Sequence, residues 1–367
     1  MHRRPRPVDD REVIPPGDVT ATVCNWNGRA YLGDCLRALL AQTRPPGRIV
    51  VYDNASTDGS SDLVRAEFPA VELVAMGCND GPAAPRNRGL AEATTPWVLQ
   101  VDADAILAPD CLERLLADAE SSGAVVAMPR ALFDGDRTRI HYDGGWFHYV
   151  GVMTLDRFFA PLAGAPGEAE DVDAVISMAL LLRRDAVAPI GGYDPGYFIL
   201  FEDHDLSFRL RARGMKLRRV PAARVFHREG TAGTSYREGP DYPARRARLH
   251  SRNRWRLLLR NHSTAALLLG LPGILAYELV WIAFAASQGL LGAWWAGKRE
   301  LLAELPALLR QRRELQAART VGDGELLRAR PLSHAPMVRR GAVARCGERG
   351  LDLFLRGWWA VMRPFLA

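Results

Sequence analysis

The sequence predicts an α/β fold with a mostly parallel sheet and helices on both faces. Over residues 18–102, short runs rich in β-branched and other apolar residues alternate with stretches that have apolar residues at helical spacing. Strands and helices in such close alternation form βαβ units, whose strands are parallel and carry helices on both faces. A chain of 367 residues that is 48% hydrophobic is also long enough to bury a large core.

The alternation assigns the elements in chain order. The predicted strands cover residues 18–24, 48–53, 71–74, 96–102, 124–129 and 175–184, and residues 216–227 are predicted to form a strand pair. The predicted helices cover residues 31–40 and 62–68, and another helix opens within residues 79–89. In such sheets, ligands bind at the carboxyl ends of the strands.

Charge and cysteine usage restrict the cellular context. The net charge of +6 and the pI of about 9.3 favour anionic partners such as nucleotides, nucleic acid or an anionic membrane. The five cysteines include no C-x-x-C pair, which suits a reducing cytosol and argues against a structural zinc site. Residues 1–17 form a basic N-terminal lead without the apolar core of a signal peptide, so we expect the catalytic body to stay in the cytoplasm.

Two carboxylates end the predicted strand 96–102. Asp102 and Asp104 are two residues apart and therefore point to the same side of an extended backbone. Paired anions repel unless a cation lies between them, and Mg²⁺ or Mn²⁺ carrying a diphosphate fits this arrangement. The alternative is an Asp-rich turn before the next helix, although Asp110 could cap that helix alone.

Four motifs in this order resemble the family 2 glycosyltransferases of the GT-A fold. They are residues 22–27, 51–60, 79–89 and 102–104. The resemblance covers about residues 18–260 and implies a GT-A, Rossmann-like catalytic domain over that range.

The resemblance also implies roles for donor-binding and metal-binding residues. Asp53 would contact the nucleobase and ribose of a nucleotide sugar, and the other implied donor contacts are Asn25, Asn54, Asn79, Asn87 and Asp102. Asp104 would bind Mg²⁺ or Mn²⁺ on the diphosphate, with His227 near the metal. An Asx turn at residues 53–54 and a strand-end histidine without a catalytic part are the open alternatives.

An acidic motif at residues 202–206 resembles the family's E-D-x-D-L sequence. It implies that Asp203 is the general base that takes the proton of the acceptor hydroxyl. Acids in the first turn of a helix are also favoured by its dipole, so the motif alone leaves that alternative open. Glu202, together with Arg252 and Asn253, is expected near the acceptor or its diphosphate, since R-N occurs here in relatives with lipid-linked acceptors.

The composition changes sharply over residues 264–296, and we predict residues 261–367 to be a helical, membrane-associated region. Residues 264–296 are nearly uncharged apart from Glu278, and Pro272-Gly273 interrupts them. Flanking cations and tryptophans predict two helices that lie in, or dip into, the cytoplasmic face of a membrane. A soluble helical hairpin packed on the catalytic domain is the alternative.

The resemblance implies an inverting, metal-dependent glycosyltransferase at the cytoplasmic side of the cell membrane, as a peripheral or monotopic protein. The donor would be dTDP-rhamnose or a UDP-sugar, and the acceptor a cell-wall or polyprenyl-diphosphate-linked glycan, with no nucleic acid partner. A nucleotidyltransferase acting on a sugar phosphate is less well supported, because residues 25–28 do not form a Gly-rich phosphate loop. A non-catalytic membrane-binding module would not explain the ordered acidic motifs.

Overall fold

A computed structural model describes residues 17–228, 242–333 and 342–366. Residues 1–16 of the predicted N-terminal lead lie outside the described residues. The strands are β1 Val19–Asn25, β2 Arg48–Asp53, β3 Glu72–Ala75, β4 Trp97–Asp102, β5 Ala105–Leu107, β6 Val126–Phe133, β7 Ile140–Tyr142, β8 Gly145–His148, β9 Val152–Leu155, β10 Glu170–Val172, β11 Ala179–Arg183, β12 Leu217–His227 and β13 Leu327–Arg328. The helices are α1 Arg29–Leu40, α2 Ser60–Glu67, α3 Ala83–Glu92, α4 Cys111–Ser122, α5 Arg184–Val187, α6 Glu202–Arg211, α7 Ala244–Asn261, α8 Thr264–Ser287, α9 Leu291–Ala317, α10 Asp323–Leu326 and α11 Ala342–Met362.

The predicted α/β sheet with helices on both faces is confirmed. β1 pairs in parallel with β2 and β4, and β3 extends the sheet in parallel from β2. Beyond β4 the sheet becomes mixed, because β11 is antiparallel to β4 and β6. Both faces are covered, since Leu99 belongs to one hydrophobic core and its neighbour Val98 to another. The parallel half brings the ends of β1, β2 and β4 to one edge of the sheet.

The prediction of a strand pair over residues 216–227 is wrong. These residues form one strand, β12, which pairs in parallel with β6. The register of that pairing shifts between Val220 and Arg224, so the segment around Pro221 bulges out of the ladder instead of turning the chain back.

The prediction of two short apolar helices is also wrong. α8 continues through Pro272, because both of its halves are fixed against the body. Gly273 lies against Tyr149 so closely that a Cβ at this position would be 2.1 Å from the tyrosine oxygen. Further along α8, Glu278 accepts hydrogen bonds from Trp255 and Trp294 at 2.8 and 2.9 Å. These contacts hold one face of α8 on the protein.

The C-terminal helices share a third hydrophobic core with the sheet domain. Phe147 and Tyr149 pack there with Leu258 of α7, Ile274 of α8 and Trp359 of α11. The outer surface is apolar too, and large side chains on α8 and α11 are more than 60% exposed: Leu268, Leu279, Leu353 and, just after α11, Phe365. Within the described residues, α8 is the one helix long and apolar enough to cross a membrane.

Candidate functional site

A cavity of about 760 Å³ opens at the carboxyl ends of β1, β2 and β4. Its lining brings together these predicted site residues: Asn54, Asn79, Asp102, Asp104, Glu202, Asp203 and His227. The predicted residues Asn25, Asp53, Asn87, Arg252 and Asn253 do not line it. The cavity is therefore built from strand ends, as the sheet predicts, and from the start of α6.

Asn54 and Asn79 form one polar wall of the cavity. The Asn54 amide donates to Asn79 Oδ1 at 2.9 Å and to the Gly81 carbonyl at 3.0 Å. Among the described residues, the buried Asn54 Oδ1 has no hydrogen-bond partner, which leaves an acceptor for a ligand. Asn25 donates to Asp53 Oδ1 at 2.7 Å, and its backbone carbonyl accepts from the Asn54 N–H at 2.8 Å, so this predicted pair lies behind the wall and holds Asn54 in place.

Asn87 is fully engaged away from the cavity, which differs from the expected nucleotide contact. Its amide nitrogen donates to the Tyr193 carbonyl at 2.7 Å, and its oxygen accepts from the Tyr193 backbone N–H at 2.8 Å. At the adjoining Gly192 φ is +59°, and a Cβ would lie 2.3 Å from Asn87 Oδ1. Asn87 therefore fixes a glycine turn.

The two acids of the strand end face different partners. Asp104 Oδ2 lies 3.2 Å from His227 Nε2, and His227 Nδ1 lies 2.9 Å from His141 Nδ1. Across the described residues, no cluster of three or more histidine, cysteine or acidic side chains has a metal-binding arrangement. Asp104 and His227 still fit a divalent ion whose remaining ligands are phosphate oxygens and water, as is usual for Mg²⁺.

Arg86 is the functional side chain that sequence reasoning missed. It is 6% exposed, and it donates to Asp102 Oδ1 at 2.8 Å and to the Ser177 carbonyl at 3.2 Å. Its other terminal nitrogen lies 3.6 Å from Glu202 and 3.9 Å from Asp203. One buried cation thus links the strand-end acids to the acids of α6. Arg86 lies within the motif at residues 79–89, but the sequence did not indicate its distant partners.

The environment distinguishes the two acids that begin α6. Burial, reinforced by the neighbouring Asp203 carboxylate, raises the pKa of Glu202 to about 8, although Arg86 opposes the shift. Its surroundings therefore favour the protonated form of Glu202. Asp203 is 19% exposed and accepts a hydrogen bond from the Ser177 hydroxyl, which lies 2.8 Å from the Tyr193 hydroxyl. Of the two, Asp203 is placed to take a proton from a ligand in the cavity.

The segment before α6, residues 196–201, is called the acid loop here. Three of its non-glycine residues have positive φ: Phe198 at 63°, Leu200 at 70° and Phe201 at 74°. Such conformations are unfavourable for residues with a side chain and need support from their surroundings.

Asn253 supplies much of that support. Its amide nitrogen donates to the carbonyls of Tyr197, Ile199 and Leu200 at 3.0, 3.0 and 2.8 Å. Arg252 donates to the Gly196 carbonyl at 2.9 Å. Arg252 and Asn253, which were expected near an acceptor, thus donate to the acid loop and do not line the cavity.

Comparison with known proteins gives one family match. Residues 20–185 match the sequence model described as Glycosyl transferase family 2. The chain is 29% identical to the N-acetylglucosaminyl-diphospho-decaprenol L-rhamnosyltransferase of Mycobacterium tuberculosis (strain ATCC 25618 / H37Rv) over 280 residues, which are 69% of this chain and 86% of the relative.

Two further likenesses cover less. The chain is 34% identical to the succinoglycan biosynthesis protein ExoO of Rhizobium meliloti (strain 1021) over 30% of its own length and 32% of the relative's. The crystal structure of GalNAc-T7 with UDP, GalNAc and Mn²⁺ aligns with a TM-score of 0.51 at 18% identity, over 66% of this chain and 48% of that one. This structural likeness shows the fold.

Proposed function

We propose, from the premise that this chain is a family 2 glycosyltransferase with the GT-A fold, that it transfers a sugar from a nucleotide donor to a lipid-linked or cell-wall glycan with inversion. The observation that carries the proposal is the single cavity in which Asn54 and Asn79 face Asp104 and Asp203. A nucleotide, a diphosphate and an acceptor hydroxyl each find a matching group there.

The chemistry assigned to the chain is one direct displacement. The acceptor oxygen forms a bond to the anomeric carbon as the bond to the diphosphate breaks, and the diphosphate leaves with the electron pair. Asp203 takes the hydroxyl proton, and Ser177 orients its carboxylate. Asp104 and His227 would hold Mg²⁺ or Mn²⁺, which neutralises diphosphate charge when bound.

The substrates are proposed by analogy with the mycobacterial relative, whose name describes L-rhamnose transfer to N-acetylglucosaminyl-diphospho-decaprenol. We propose dTDP-rhamnose or a UDP-sugar as the donor and a polyprenyl-diphosphate-linked or cell-wall glycan as the acceptor. The test is to incubate the protein and an acceptor with each nucleotide sugar in turn and to measure the nucleoside diphosphate that is released. The proposal requires release only with the donor that the protein uses.

Asp104→Ala should abolish the Mn²⁺-dependent rise in melting temperature that UDP or dTDP gives to the wild type. The reason is the loss of one of two side chains placed to hold the ion. The measurement is a thermal-shift titration with and without Mn²⁺, and the matched control is Asp110→Ala, at the residue before α4 and outside the cavity lining. Undiminished Mn²⁺-dependent stabilisation in the Asp104 variant would exclude the metal role.

We also propose that the exposed face of α8 and α11 lies on the cytoplasmic surface of the membrane. Glu278 supports a peripheral or monotopic position, because it is buried and ion-paired with Arg254 and Lys298. A helix held to the protein by this cluster can present only its other face to lipid.

Replacing Leu268, Leu279 and Leu353 with serine should move the full-length protein from the membrane fraction to the soluble fraction. Each side chain is 66–67% exposed, so the substitutions remove lipid-facing area at about 25 cal/mol per Å² and disturb little core. Sedimentation with anionic liposomes measures the change. Leu40→Ser, at an exposed leucine of the sheet domain, is the control and should leave sedimentation unchanged.

A further inference from the structure

The cavity has a second set of lining residues that the proposed displacement does not use. Many are apolar: Val152, Met153, Leu155, Ile199, Leu200, Tyr277 and Leu332. Two are cationic, Arg245 and Arg246 at the start of α7. A ligand that is only a polar sugar chain does not need both apolar and cationic side chains around it.

The two arginines line the same cavity as Asp203, and Arg245 contacts the acid loop. The Arg245 guanidinium is stacked over the ring of Phe198, 4.6 Å from its centre, and Phe198 belongs to the acid loop that leads into Asp203. Arg246 also lines the cavity, and its guanidinium is 6.0 Å from the ring of Tyr242. Arginine is suited to phosphate because its planar fork donates two parallel hydrogen bonds. These cations are separate from Asp104 and His227, where the donor diphosphate is placed.

Aromatic rings connect the cavity to the apolar face of α8. We call Tyr277, His250, Trp281, Phe284 and Tyr242 the aromatic track. From the cavity residue Tyr277 the ring centres step 6.5 Å to His250, 4.1 Å to Trp281 and 5.2 Å to Phe284, and Tyr242 lies 5.6 Å from Trp281.

The aromatic track suits an apolar ligand. Burial lowers the pKa of His250 to about 3, with Arg254 adding to the effect, so this ring is neutral at physiological pH. At the far end of the track Trp281 and Phe284 are half-buried, so their rings reach the surface of α8, and the adjacent Val280 is 49% exposed. A hydrocarbon chain that follows the track therefore reaches the surface proposed to contact lipid.

We propose that Arg245 and Arg246 bind the phosphate groups of a prenyl-phosphate-linked acceptor, and that the aromatic track carries its prenyl chain to the apolar face of α8. This inference rests on the proposed function and adds the place where the acceptor's anchor binds. The acceptor sugar then lies between the arginines and Asp203, and the lipid stays partly in the membrane.

The test is calorimetric titration of the full-length chain with farnesyl diphosphate, inorganic diphosphate and farnesol. The donor site is first saturated with Mn²⁺ and with UDP or dTDP, whichever stabilises the protein, so that a second diphosphate cannot bind there. The variants are Arg245→Ala/Arg246→Ala, Trp281→Ala and the matched control Arg248→Ala. Arg248 lies on the same helix but pairs with Glu300 and does not line the cavity.

We expect the double arginine variant to bind farnesyl diphosphate about tenfold more weakly or worse, as for the loss of charge-assisted hydrogen bonds, and Arg248→Ala to bind it as the wild type does. Trp281→Ala should weaken binding of farnesyl diphosphate but not of inorganic diphosphate. Equal binding by the double variant and the wild type, or an equal loss in Arg248→Ala, would overturn the inference.

The two proposals fail separately. If no nucleoside diphosphate binds the wild type, the proposed donor site is wrong. The farnesyl diphosphate titration is then done without nucleotide and still tests the acceptor site. If the nucleotide binds but the arginine variants leave farnesyl diphosphate binding unchanged, the donor site stands and the acceptor site is wrong. The single variant Arg245→Ala, at an exposed position, replaces the double variant if the latter does not fold.

Discussion

Asp203→Asn should lower the rate of sugar transfer by about 10²-fold or more, the usual scale for losing a general base, while donor binding stays close to wild type. The amide has the shape of the carboxylate, and its oxygen can still accept the hydrogen bond from Ser177. It cannot take the acceptor's proton. The measurement is the initial rate of transfer at saturating donor, together with the melting temperature in the presence of the nucleoside diphosphate.

Asp185→Asn is the matched control for this experiment. Asp185 is 76% exposed and pairs only with Arg183 among the contacts of the described residues, so the same change should leave transfer unaltered. Near-normal transfer by Asp203→Asn would exclude it as the base. In that case a loss of transfer in Glu202→Gln would move the role to Glu202.

Arg86→Met should destabilise the protein by about 3–5 kcal/mol, as expected when one partner of a buried ion pair is removed. The methionine fills a similar volume but leaves Asp102, Glu202 and Asp203 facing each other without a cation. Urea unfolding followed by tryptophan fluorescence measures the change. Arg88→Met on the same helix is the control: Arg88 is 43% exposed and pairs with Glu92 four residues away, an arrangement worth only about 0.3–0.5 kcal/mol.

The loss of stability in Arg86→Met should be larger at pH 8.5 than at pH 5. Burial raises the pKa of Asp102 to about 6 and that of Glu202 to about 8, and Arg86 opposes both shifts. An acid with a raised pKa stabilises the fold below its unfolded pKa, and that stability is lost as pH rises through the folded value. At pH 5 both carboxyls can hold protons and avoid repulsion. An equal loss at both pH values would show that the three acids do not interact through Arg86.

The fold and much of the cavity could be predicted because they depend on local pattern. Asp102 and Asp104 follow a buried strand, and the parallel sheet brings such strand ends together whatever their distance in the chain. Arg86 was not predicted because its role depends on contacts with residues distant in sequence: Asp102 is 16 residues away and Ser177 is 91 residues away. A positive charge within a helix normally indicates a solvated surface, and only the packed structure shows that this one is buried.

Two local signals were misleading for a physical reason. Proline disfavours a helix interior, yet Gly270 and Gly273, on either side of Pro272, both pack against Tyr149 and hold α8 on the protein. Arg252 and Asn253 were expected near an acceptor because an R-N pair occurs here in relatives with lipid-linked acceptors. In the structure, the side-chain N–H groups of Arg252 and Asn253 donate instead to backbone carbonyls of the acid loop, which are polar as well.

The bracing of the acid loop by Asn253 sets an order for the maturation of the enzyme. Leu200 and Asn253 are 53 residues apart, so the ribosome releases the loop well before its brace. β2, which ends at Asp53, and β4, which ends just before Asp104, come earlier still, and chains generally fold from the N-terminal side as they are made. A nascent chain can therefore form the polar wall of Asn54 and Asn79 while the acid loop still lacks its brace. The cavity is complete only when α7 docks, because α7 supplies part of its lining as well as Asn253, and α8 follows α7 directly in the chain.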